Sequence, residues 1–346
     1  MSPPGWRGNP YVMPSGLQVD KKTGSKIVRV LVHKSSQPKP FKGSVKIVCN
    51  GQLQSGGFTQ KLNCFHYPLN SYLTFKGKKY TGSFYLYREQ NMVYYVNYIP
   101  LDQYIASVLS YEMNPAWPLE ALKAQAVAAR TYLYNKLSQK KTVQYDISNT
   151  TNHQVYGGLA EKMEPALRAS RETGSEVLLY QGKLAQVFFH SSCGGISAAS
   201  EEVWSNQIPY LSSKKQSFCN RSPAYTWKTT MSAAQLQRKL GIDGIQGISV
   251  IERTRSQRVK SIEITHSKGV TRMNSSEFRR KLGNSSFKST LFTISGNQKS
   301  ITFKGRGYGH GVGLCQWGAK YMAGAYNRNY TDILSQYFPG TNLSSL

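Results

Sequence analysis

The sequence predicts an α+β protein: an N-terminal β module, a mixed α/β core, and a small α+β subdomain inserted into that core. Three observations carry this. Alternating apolar runs separated by Gly, Asn and Ser turns fill residues 26–99. Two proline-started helical patterns follow from Pro100 and Pro118. Beyond Val177, short strands, two capped helices and glycine-rich stretches are interspersed.

Residues 1–25 are rich in Pro, Gly and polar residues and read as a flexible arm. The β module spans 26–90, with strands expected at Ile27–Val32, Ser44–Cys49, Ser71–Phe75 and Gly82–Tyr87. The first part of the core spans 91–225. In it Met92–Ile99 reads as a strand, and Leu101, Tyr104, Ile105, Val108 and Leu109 recur at helical spacing. That helix must stop before Asn114-Pro115, because the residue ahead of a proline is driven out of the helical region. Glu112 falls at its end. Leu119, Leu122, Ala126, Ala129 and Leu133 mark the buried stripe of a second, alanine-rich helix. Val177–Tyr180 and Ala185–His190 read as strands around a turn.

The inserted subdomain spans 226–300. Its helices, Ser232–Leu240 and Asn274–Leu282, each begin on a capping residue with Gln or Glu three positions later and end at Gly. Strands are expected between them, at Ile248–Arg253 and Val259–Thr265. Residues 301–346 close the core with a strand, the run Gly305-Arg-Gly-Tyr-Gly-His-Gly-Val-Gly313, and a helix from about Cys315 to Gly324. Glycine at every second position lets backbone approach a ligand closely. The Gly-Lys-Ser/Thr ending of a phosphate loop is absent.

Composition narrows the classes of function. Forty-four Lys and Arg against 17 Asp and Glu give a formal charge of +27, which favours a polyanionic partner. The basic residues are scattered in short groups, and no zinc-finger spacing, basic-region heptads or RNP-type strand accompanies them, so nucleic acid is not the expected partner. No apolar run reaches the roughly 18 residues of a membrane span. The start, Met1-Ser-Pro-Pro-Gly, has no apolar core of a secretion signal. None of the five cysteines forms a CxxC pair; Cys49 with Cys64 and Cys193 with Cys219 are spaced for disulfides in an oxidising compartment, leaving Cys315 over.

Three segments are denser in unusual residues than packing requires: Tyr111-Glu-Met-Asn-Pro-Ala-Trp-Pro118 with the helix through Tyr132, Phe189-His-Ser-Ser-Cys-Gly-Gly195 through Trp204, and Gly305 to Ala319. Together they closely resemble the signatures of the stage II sporulation protein D (SpoIID) and LytB amidase-enhancer family, over roughly residues 90–225 and 300–340. The resemblance implies a peptidoglycan lytic transglycosylase, with Glu112 as its single catalytic acid and base. The negative end of a helix dipole, with Met113 and Trp117 close in sequence, is a setting that raises a carboxyl pKa. The resemblance also implies a substrate-binding set of Lys123, Arg130, His190, Ser192, His310 and Gln316. Lys123 and Arg130 read equally well as structural ion pairs, and Glu120 as a first-turn acid complementing its helix.

The same family implies a cell-envelope location, peptidoglycan glycan strands as partner, and no required cofactor. Its alternative role is that of a non-catalytic glycan binder that stimulates a cell-wall amidase. Family members with bound zinc make a site at His190, Cys193 and Cys219 worth stating, although no fourth ligand is evident. Glu201 and Glu202 offer a second carboxylate or a solvated turn.

Overall fold

The computed structural model describes residues 17–20, 24–49, 52–54, 62–69, 71–139, 144–149, 154–297 and 299–346. Most of the expected N-terminal arm lies outside them. The chain divides into two compact units, Met1–Ala185 with Leu343–Leu346, and Gln186–Asn342. The division falls inside the 91–225 segment read from the sequence as one piece.

The first unit is built on an eight-stranded sheet. Its strands are β1 (Gln18–Val19), β2 (Lys26–Ser35), β3 (Val45–Cys49), β4 (Gln52–Gln54) and β5 (Cys64–Pro68), then, after the β6–β7 hairpin (Leu73–Phe75, Lys78–Tyr80), β8 (Ser83–Glu89), β9 (Met92–Pro100) and β10 (Ile147–Ser148). The order is β1-β2-β9-β8-β5-β3-β4, with β10 parallel to β2. Alternation sends Tyr85, Tyr87 and Val96 to one face with Leu31 and Phe65. Phe84 and Tyr95 go to the other, where Phe41 lies 4.9 Å from Phe84 and Phe75 lies 4.6 Å from Tyr95. Apolar burial on both faces explains why these strands are so rich in aromatics. Cys49 and Cys64 face each other across β3 and β5 and are joined by a disulfide.

Helix α1 (Leu101–Glu112) starts directly after Pro100 and stops where Met113 turns extended at φ −133°, two residues before Pro115. Pro118 sets the start of α2 (Leu119–Ser138). A third helix, α3 (Glu164–Glu172), was not legible, because its buried face is only Ala166, Ala169 and Ser170. Strands β11 (Glu176–Tyr180) and β12 (Lys183–Leu184) form a small sheet with the C-terminal strand over Asn342–Ser345.

In the second unit the strand expected over Ala185–His190 is reduced to β13 (Phe189–His190), paired parallel to β20 (Leu314–Cys315). Ahead of it, the N–H of Gln186 donates to the Tyr210 hydroxyl instead of to a strand. Six more strands make two three-stranded sheets: β14 (Thr226–Met231), β19 (Ser300–Arg306) and β18 (Phe292–Asn297) in one, and β15 (Ile245–Arg253), β16 (Val259–His266) and β17 (Gly269–Asn274) in the other. Helices α4 (Ala233–Leu240) and α5 (Ser275–Leu282) pack with them around Phe278, Phe287, Phe292 and Phe303. Ser232 and Gln235 form the expected capping box, and Asn274 caps α5. This core takes in Ile301 and Phe303, so the boundary placed at residue 300 cuts through β19. Helices α6 (Gln316–Ala325) and α7 (Tyr330–Tyr337) complete the unit.

Candidate functional site

In the first unit the end of α1 delivers Glu112, partly buried, beside the segment Gln154–Gly158. Glu112 Oε1 accepts a hydrogen bond from the Val155 N–H at 3.2 Å. The rest of the segment is fastened to α1. The Tyr104 hydroxyl donates to Gln154 Oε1 at 3.0 Å, the Ser107 hydroxyl to the Gly158 carbonyl at 2.7 Å, and the Tyr111 hydroxyl to the Gly157 carbonyl at 3.1 Å. Gly157 lies so close to the Tyr111 ring that a Cβ there would meet ring carbons at 2.1–2.5 Å. Beyond Glu112, the Ala116 N–H donates to Asn114 Oδ1 at 2.9 Å and the Trp117 N–H to the Asn114 carbonyl at 3.0 Å. The two prolines thus bracket a hydrogen-bonded turn that fixes the direction in which α1 ends.

Lys123 and Arg130 are held by protein groups. Lys123 Nζ is 3.0 Å from Glu120 and 2.7 Å from Glu172. Arg130 is buried and donates to the Ser170 and Glu176 carbonyls at 2.9 Å and to the Thr173 hydroxyl at 3.1 Å, closing the C-terminal end of α3. Burial lowers its pKa to about 10, so it remains charged at neutral pH.

The other expected site residues belong to the second unit. His190, Ser192 and Gln316 are buried. His190 Nδ1 donates to the Val312 carbonyl at 3.0 Å. His310 Nε2 donates to the Phe189 carbonyl at 3.0 Å, and its Nδ1 accepts the Val312 N–H at 3.1 Å, which fixes a neutral ring. Burial pushes His310 down to about 4. The alternating glycines let their backbone approach the protein itself: Gly311 has φ +88°, and a Cβ there would meet the Arg258 guanidinium at 2.2 Å. Trp204, 38% exposed, stacks on Phe188 with ring centroids 4.3 Å apart and packs against His310 at 5.0 Å.

Glu202 is not a solvated turn residue: it accepts from the backbone N–H of Ser256 at 3.1 Å and from the Ser256 hydroxyl. A concavity of about 840 Å³ opens beside Trp227, rimmed by Lys228, Arg253, Lys304 and Arg306.

The expected pairing of Cys193 with Cys219 is not a bond here, their sulfurs lying 2.9 Å apart as thiols. The leftover Cys315 lies beside them, its sulfur accepting the Cys193 N–H at 3.3 Å. Within this group Cys219 is lowered by hydrogen bonds from the other two thiols, while hydrogen bonding to Cys219 raises Cys193 and burial raises Cys315.

An α+β chain with a helix-end glutamate ahead of a proline-bracketed turn, followed by a glycine-rich segment woven against a His-Ser-Ser-Cys loop, defines a class that sequence comparison identifies. A family model described as stage II sporulation protein matches residues 89–180, and a domain of unknown function (DUF8618) matches 196–313. Stage II sporulation protein D of Bacillus subtilis is 32% identical over 277 residues, covering 75% of this chain and 78% of that one. An uncharacterised protein of Brachyspira hyodysenteriae is 34% identical over 277 residues, covering 78% and 73%. The amidase enhancer of Bacillus subtilis is 32% identical over 294 residues, covering 70% of this chain but 40% of its own length. The chain belongs to the stage II sporulation protein D family.

The segment Gln154–Gly158 escaped the sequence reading. Its signal was present in Gln-Val-Tyr-Gly-Gly, an aromatic and two glycines in a polar stretch, but nothing in the sequence tied it to Glu112.

Proposed function

We propose that this protein cleaves the glycan strands of peptidoglycan as a lytic transglycosylase, leaving 1,6-anhydromuramyl ends. The observation that carries the reading is Glu112: a partly buried carboxyl at the end of α1, with one oxygen aimed by the Val155 N–H. A glycosidase that uses water or an enzyme nucleophile needs two carboxyls. One suffices when the substrate supplies the nucleophile. Glu112 protonates the bridging oxygen as the C1–O bond breaks, then takes the proton of the muramic acid 6-hydroxyl as that oxygen bonds to C1.

The charge of +27 and the four cations around the concavity beside Trp227 suit an anionic wall polymer, and the Cys49–Cys64 disulfide suits an oxidising, extracytoplasmic compartment. Among the described residues no helix is long and apolar enough to cross a membrane. The alignment with an amidase enhancer supports a second reading, in which the same surfaces hold glycan for a cell-wall amidase without cleaving it. Digestion of purified peptidoglycan, with and without its stem peptides, separates the two. Anhydromuramyl products support cleavage, whereas glycan binding without products, accompanied by faster hydrolysis by an added amidase, supports the enhancer.

A further inference from the structure

We infer that the outer face of the sheet β14-β19-β18 binds a linear phosphodiester polymer of polyol units, held by its backbone phosphates. Alternation along the strands sends Trp227, Phe292 and Phe303 into the core of the subdomain. It leaves Thr226 and Lys228 of β14, Thr293 of β18, and Lys304 and Arg306 of β19 exposed on the opposite face. The register then groups them. Lys228 is directly opposite Lys304, Thr226 is opposite Arg306, and Thr293 is opposite Lys304 on its other side. These residues line the concavity of about 840 Å³, to which Arg253 of β15 adds a fourth cation.

Three features point to repeated phosphates. The first is charge with nothing to offset it: no carboxylate lines the concavity, and among the described residues none of its four cations forms an ion pair. Like charges directly opposite across two strands oppose folding. The Lys228–Lys304 pair is therefore a cost that packing does not require and that a bound anion relieves. The second is donor chemistry. Arg253 spends one N–H of each terminal nitrogen on the carbonyls of Gln257 at 2.8 Å and Phe292 at 2.9 Å, which holds its fork in place with donors to spare. Guanidinium forks and threonine hydroxyls are matched to phosphate oxygens. The third is spacing. Alternate residues of a strand recur at about 6.8 Å and opposite partners at about 5 Å. Phosphates joined through a three-carbon polyol recur on the same scale, whereas a disaccharide repeat spaces its carboxylates more widely.

Sequence-independent binding of single-stranded nucleic acid relies on aromatic side chains on which bases stack. The aromatics at this concavity, Trp227 and Phe292, are only 8% and 2% exposed and belong to the core, so the face offers contacts to a backbone and none to bases. The site lies wholly within the second unit and is independent of Glu112; only the wall setting is shared with the proposed function.

The test is calorimetric titration of the full chain with a glycerol-phosphate oligomer, which has no glycosidic bond to cut, so its outcome is separate from that of the cleavage assay. Binding is expected to weaken with added salt. It should be tighter than binding of polyglutamate or oligothymidylate of equal charge. Lys228→Gln combined with Lys304→Gln should weaken binding roughly tenfold, the order set by two exposed ion pairs, and make its salt dependence shallower. The same variant should melt no lower than wild type, because it removes a like-charge pair. Lys162→Gln combined with Lys183→Gln, an equal loss of charge at exposed positions of the first unit, should leave the affinity within about twofold of wild type. Equal losses in the two double variants, or equal affinity for polyglutamate, would reduce the effect to overall charge and overturn the site. Tighter binding of oligothymidylate would give the face to nucleic acid instead, and no binding of the glycerol-phosphate oligomer would refute the inference outright.

Discussion

Glu112 Oε1 accepts the backbone N–H of Val155, 43 residues further along the chain, at 3.2 Å. The bond joins the end of α1 to a segment that α1 itself holds through Tyr104, Ser107 and Tyr111. The position of the carboxyl is therefore a property of the packed unit rather than of a single rotamer.

Gly157→Ala tests that packing. Its new methyl would overlap the Tyr111 ring, which must move or force the segment away. A loss of about 1–3 kcal/mol, typical of overpacking, should appear as a lower urea midpoint. An unchanged midpoint would mean that the Tyr111–Gly157 contact is looser than described.

Arg130 and Lys123 should respond differently to loss of charge. Arg130→Met removes the buried guanidinium's hydrogen bonds to the Ser170 and Glu176 carbonyls and to the Thr173 hydroxyl and should cost about 3 kcal/mol. Lys123→Met removes a partly exposed pair with Glu120 and Glu172 and should cost about 1 kcal/mol or less. Equal losses in denaturant titrations would contradict the assignment of Arg130 to the framework.

Stability should fall with acid before the carboxylates titrate fully. Burial holds His66 at about 4, against 6.5 for an exposed histidine. Between those values the unfolded chain binds a proton that the folded chain refuses, so stability is complete above about pH 6.5 and declines toward pH 4. At about 1.4 kcal/mol per pH unit, the effect reaches the order of 3 kcal/mol. His66→Phe should make that part of the profile shallower, leaving the slope contributed by His190 and His310, which burial also lowers; a slope unchanged by the substitution would remove His66 from it.

Much of the backbone plan was readable because single residues dictate it. Pro100 and Pro118 start helices and Asn114-Pro115 ends one, while Ser232 with Gln235 and Asn274 mark the helices of the inserted subdomain. Helix α3 was missed because alanines and a serine give no apolar stripe. The alternating glycines read as a place where backbone approaches a ligand closely; at Gly311 the close neighbour is the Arg258 guanidinium. Glu112 stands out by its motif, whereas nothing in the sequence ties Val155 to it. The thiol group was half seen: Cys193 and Cys219 are 26 residues apart, but Cys315 is 122 residues from Cys193 and reaches it only through the pairing of β13 with β20.

Glu112→Gln, assayed beside wild type on purified peptidoglycan with products read by mass, tests the role of Glu112 most directly. The amide keeps an oxygen to accept the Val155 N–H, so the variant should unfold at the wild-type temperature while losing the proton that cleavage requires. Anhydromuramyl products are expected from wild type and none from the folded variant. Equal products from both would contradict Glu112 as the acid, and none from either, with glycan binding intact, would contradict cleavage itself.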